Sequence, residues 1–127
     1  MNKFVAALAD LASVIIFVAV GRSVHAHGDS IAGIASTAGP FLAGAVVGWL
    51  AVHGWTRPNA LWPTGISVWI ATVSIGQILR LVIGQGSAIA FVLVSLGFFA
   101  ITMLGWRAVL VVARSVFPRD AASGPVR

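Results

Sequence analysis

Cysteine is absent from the 127 residues, which removes disulfides and thiolate metal sites and leaves the redox compartment unmarked. Charge is scarce as well: 9% of residues are charged against 59% hydrophobic, and the mean hydropathy is +1.02. A water-soluble domain carries about 25% charged residues, so that class is excluded. Catalytic signatures are also missing. No nucleophile elbow, phosphate loop, zinc-protease or dinucleotide motif occurs, and no nucleophile stands at a recognisable spacing from a base. The chain therefore reads as a non-enzyme that calls for no cofactor. Its net charge of +5 and pI near 11.9 would point to nucleic acid in a soluble protein, but the eight basic residues are scattered around apolar runs and never cluster. They are topology signals, and no nucleic-acid partner is expected.

What is present is length of apolar run. A bilayer core of about 30 Å needs roughly 20 apolar residues in a helix. Four runs qualify: Phe4 to Val20, about Ile31 to His53, about Gly65 to Ile83, and Ile89 to Val112. Lipid tolerates only helices and closed barrels, and the runs lack two-residue alternation, so the expected fold is an all-α integral membrane four-helix bundle. Residues 1–113 form the four-span membrane domain and 114–127 a basic tail. The short links, among them Gly84-Gln85-Gly86, make sequential spans antiparallel neighbours.

With four spans the termini share a side. Lys3, Arg57, Arg114, Arg119 and Arg127 lie there, against Arg22 and Arg80 on the other, so the positive-inside rule places both termini in the cytoplasm of a plasma-membrane protein. Trp49, Trp55, Trp62, Trp69 and Trp106 are expected as an interfacial belt on the same face. The first 26 residues also have features of a secretory signal, but Asp10 in the apolar stretch and Arg22 near the possible cut speak against cleavage.

Sliding the sequence by 58 residues aligns Arg22 with Arg80, Gly28 with Gly86 and Phe41 with Phe99, and an offset of 57 superposes Gly48-Trp49 on Gly105-Trp106. Two parallel helical hairpins would give this pattern, and so would chance matches between Gly- and Ala-rich runs. In the second span Ser36, Pro40, Gly44 and Gly48 recur every four residues, a small-residue stripe that lets another backbone approach; Pro40 should kink the helix. The stripe's partner is the fourth helix or a second copy of the chain, and a homodimer is expected because four short helices enclose little interior. Thr64, Ser67, Ala71 and Ser74 form a small polar strip on the third span, suited to packing or to lining a wet path.

Three groups carry candidate chemistry. Asp10 lies about 9 Å into the first span and Arg107 about 8 Å into the fourth from the same end, so the two form an ion pair if their helices adjoin; the alternative makes Asp10 a proton or cation carrier. Arg22 and Arg80 sit at the far ends of the first and third spans with Gln77 one turn away, an outer site for an anion or a lipid phosphate. His25, His27 and Asp29 alternate in the first outer loop, a thin ligand set for metal against a solvated turn, and no metal site is expected. The best functional reading is a transporter or channel for a small, anionic solute; the alternative is a non-catalytic accessory subunit of a larger membrane complex.

Asp10, Gly21-Arg22-Ser23 with His25, Pro40-Phe41-Leu42, Gly76-Gln77 with Arg80, and Gly105-Trp106-Arg107 together resemble the small membrane family catalogued as domain of unknown function 3054. The resemblance covers roughly Ala7 to Val112. It implies a four-helix membrane fold and no particular activity. Small multidrug exporters are similar in size but carry a glutamate, and fluoride channels lack the acid at Asp10.

Overall fold

The computed structural model describes residues 2–24 and 30–117. Helices α1 (Lys3–Val24) and α2 (Ile31–Ala51) form one hairpin. Helix α3 (Ile66–Val82) is entered through an irregular turn at Leu61–Gly65, where Trp62 is non-helical. Helix α4 (Ile89–Phe99) continues through a π-helical turn, Ala100–Leu104, into α5 (Gly105–Val116). Taken as continuous rods these are four segments, Lys3–Ser23, Ile31–Ala51, Leu61–Val82 and Ile89–Val116, each long and apolar enough to cross a membrane. The described residues are an all-α four-helix bundle. The last rod has 28 residues and passes the expected end of the membrane domain, because α5 continues to Val116 without a breaker.

The surface suits a lipid solvent. Leu8, Ile16, Leu50, Leu81, Leu93, Ile101 and Val109 are each more than half exposed. In water such a continuous apolar girdle would aggregate, whereas lipid tails match it. Because lipid gives no hydrophobic drive between helices, close packing has to hold the bundle. The small stripe supplies it, and its partner is α3 of the same chain. A Cβ at Gly44 would lie 2.7 Å from the Ala71 carbonyl oxygen, and one at Gly48 2.9 Å from Val68 Cα. At Gly44 and Gly48 the stripe's partner is therefore α3 and not the fourth helix, while Ser36 at its outer end stays exposed. Beside it the Phe41 ring lies against Gly76, where any Cβ would collide.

The middle of the bundle is plugged by aromatic rings. Phe17 of α1 touches Phe99 at 4.8 Å, Phe98 at 5.1 Å and Phe91 at 5.6 Å between centroids, and Phe41 of α2 lies 5.9 Å from Phe17. Val14, Val18, Ala38, Ala45, Val68, Val73 and Met103 complete this buried core.

Two irregularities are satisfied from within. Pro40 lies buried inside α2 and has no N–H to give the carbonyl of Ser36, four residues earlier. Gln85 supplies the missing donor, its Nε2 donating to Ser36 O at 2.9 Å from the turn between α3 and α4. Gly84 and Gly86, at φ +83 and +82, allow that tight turn. At its other end α2 stops at Ala51, two residues before the expected His53. The Gly54 N–H donates to Trp49 O at 2.8 Å and the His53 N–H to Leu50 O at 3.3 Å, with His53 itself at φ +51, which is the paired bonding of a left-handed helix cap.

Candidate functional site

At the end of the bundle that carries the termini, the structure brings Asp10 and Arg107 together. The guanidinium grips the carboxylate in two parallel bonds, Nη2 to Oδ2 at 2.7 Å and Nη1 to Oδ1 at 2.9 Å, with both side chains at most 1% exposed. Two tryptophans complete the shell: Trp49 Nε1 donates to Oδ2 at 2.9 Å and Trp106 Nε1 to Oδ1 at 3.0 Å. Asp10 thus accepts four hydrogen bonds, about the full acceptor capacity of a carboxylate. Arg107 spends two further N–H bonds on the carbonyls of Pro58 and Met103, each at 3.0 Å, and its Cζ sits 4.2 Å from the Trp106 ring centroid. Gly65 makes room, since a Cβ there would stand 2.9 Å from Arg107 Cδ. A charge buried in lipid is costly unless paired, and this pair is saturated. Asp10 can take up a proton or a cation only by giving up one of these bonds.

Three of the five tryptophans also hold a hydrogen bond within the bundle. Trp49 and Trp106 are donors to the cage, and Trp69 Nε1 donates to the Leu96 carbonyl at 2.9 Å, inside the bundle. Trp55 and Trp62 are the exposed rings, at 43% and 72%, while Trp49, Trp69 and Trp106 are half-buried. The two tryptophans that the 57-residue offset matches are the pair that divides the Asp10 oxygens.

The opposite end holds a cleft of about 780 Å³. Helix α1 contributes Phe17, Val18, Gly21 and Arg22; α2 contributes Ser36 and Thr37; α3 contributes Arg80. The turn from Gln85 to Ser87 and the first two turns of α4 close it. Arg22 lies over Gly33, whose missing side chain leaves space for the guanidinium, and its Nη1 donates to Thr37 Oγ1 at 3.1 Å. Arg80 is tethered by the turn, with Nε to Gly86 O at 3.1 Å, Nη1 to Gln85 Oε1 at 3.0 Å and Nη2 to Gln85 O at 3.4 Å, and stacks 4.5 Å above the Phe91 ring. All of its acceptors are neutral. Three of its five N–H groups are used, leaving one on each terminal nitrogen.

Gln77 does not join this site. It is buried, donating from Nε2 to Ser95 Oγ at 3.1 Å and accepting at Oε1 from Ser87 Oγ at 2.6 Å, so it ties α3 to α4 below the cleft. The polar strip does not share one environment: Thr64, in the turn that precedes α3, is fully buried, Ser67 and Ala71 are half-buried, and Ser74 is exposed. His25, His27 and Asp29 lie outside the described residues. Sequence reasoning missed the two tryptophan donors, Gln85 and Gly65. For Gln85 a signal existed, since Pro40 announces an orphaned carbonyl at Ser36.

With both ends in view, the chain is a small multi-pass helical membrane protein whose buried ion pair and opposite cleft are held by one set of motifs. The family model described as "Protein of unknown function (DUF3054)" matches residues 7–110, and the chain belongs to that family. No curated protein and no solved structure matches the chain.

Proposed function

We propose that this protein is a small anion carrier of the plasma membrane, with both termini cytoplasmic and the cleft facing outward. The observation that carries the reading is Arg80, a guanidinium lining a large cleft at the end of a membrane helix, held only by neutral oxygens and retaining two uncommitted N–H groups. Arg22 adds a second fixed positive charge to the same cleft. Positive charge in a poorly screened cleft concentrates anions. The orientation rests on the basic residues, with Lys3, Arg57 and Arg114 at the terminal end. The phenylalanine plug and the Asp10 cage close the inner half, which suits a carrier in one of its two states better than an open pore. Nothing in the cleft pairs a nucleophile with a base, so no catalysis is proposed.

In liposomes containing only this protein, uptake across a panel of small anions should exceed that of empty liposomes and fall when Arg22 and Arg80 are both changed to Gln. A saturated cage and a packed aromatic core also suit a rigid, non-catalytic accessory subunit. Flux no greater than in empty liposomes, with anion binding retained, decides for that second reading.

A further inference from the structure

The cleft is polar only at its rim. Arg22, Thr37, Arg80 and Ser87 surround the end near the membrane surface, whereas Phe17, Phe91 and Val94 wall the deeper part. From Ile89 to Val94 is five residues of helix, a rise of about 7.5 Å, which carries the wall from the rim toward the acyl region. The wall is also open sideways: Ala90 is exposed and Val94 is 58% exposed, both on the helix that faces α1 across the cleft. Such an opening at acyl depth admits hydrocarbon from the bilayer, while a water-soluble anion has nothing to place there.

We propose that the cleft's ligand is a bilayer lipid with a phosphate monoester head. The head sits at the arginine rim and one chain lies along Phe17, Phe91 and Val94. This rests on the anion-site reading above and adds the requirement for a chain. A monoester carries about −1.5 to −2 charges and three acceptor oxygens, which suits the two open N–H groups of Arg80, while a zwitterionic lipid presents a single phosphate charge that its own cation offsets. Arg80 is pre-oriented for that contact by Gln85, Gly86 and the Phe91 ring.

The test is native mass spectrometry of the full chain in mild detergent with phosphatidic acid, phosphatidylcholine of the same chains, and glycerol 3-phosphate. Phosphatidic acid should be retained about tenfold or more over phosphatidylcholine, as loss of charge-assisted hydrogen bonds implies. Retention should fall as its chains are shortened, and a large excess of glycerol 3-phosphate should not displace it. Arg80→Gln should remove the preference. Gly21→Leu, which places a large side chain on the cleft wall one turn from Phe17, should weaken retention of the lipid. The chain-length series needs no variant, so a folding defect cannot obscure the answer. If glycerol 3-phosphate binds as tightly as the lipid and chain length has no effect, the lipid proposal falls while the anion site stands. If neither binds, both fall.

Discussion

The two ends of this bundle use the same residue type in opposite ways. Arg107 is fully buried, spends four N–H groups inside the protein and meets a carboxylate whose own acceptor sites are filled. Arg80 is held by an amide oxygen and two backbone carbonyls, so its position is fixed but its charge is not answered by them. The cage keeps its charge inside, whereas the cleft presents its charge to whatever enters. An intramembrane arginine is therefore read by the charge of its acceptors rather than by its depth.

The largest expected effect breaks the cage. Asp10→Asn leaves Arg107 buried beside a neutral amide, and removing one partner of a buried pair costs about 3–5 kcal/mol. Denaturant unfolding in detergent should show a loss of that size, and adding Arg107→Leu should recover part of it. Additive losses in the double variant would contradict the pairing, since coupling is what the cycle measures.

Next in size are the tryptophans. Trp49→Phe and Trp106→Phe each delete a hydrogen bond to a charged group, worth about 1.5–3 kcal/mol. Trp69→Phe deletes one to the neutral Leu96 carbonyl, worth about 0.5–1.5 kcal/mol. Three equal losses in thermal unfolding would erase the distinction between a charged cage and ordinary packing.

These residues also show what the sequence made legible. The four rods follow from apolar length against bilayer thickness, and Asp10 and Arg107 from matched depth on spans that a four-helix ring makes neighbours. Depth is one-dimensional, however, and the rest of the site depends on rotation about helix axes. Trp49 and Trp106 lie where a belt would, and only the packing of α1, α2 and α5 turns their N–H groups inward. Gly44 and Gly48 announce a close approach but not its partner, because small residues specify a distance and not an identity. The π-helical turn at Ala100–Leu104 has no breaker residue to mark it.

The smallest predicted effect lies where the cleft meets the fold. Gln85 serves two partners at once: its Nε2 repairs the carbonyl that Pro40 orphans, and its Oε1 holds Arg80. Gln85→Ala should cost about 0.6 kcal/mol, the average for interhelical hydrogen bonds in membranes. Pro40→Ala restores a backbone N–H four residues after Ser36, so the same Gln85→Ala change should cost less when it is made together with Pro40→Ala, and that difference is the share owed to the helix defect. Arg80 gains nothing from the restored N–H. Anion binding lost through Gln85→Ala should therefore stay lost in the double variant even as stability returns, separating the structural duty of Gln85 from its duty to the cleft. If binding and stability recover together, Gln85 acts on Arg80 only through the path of α2, and the two ends of its side chain are one function.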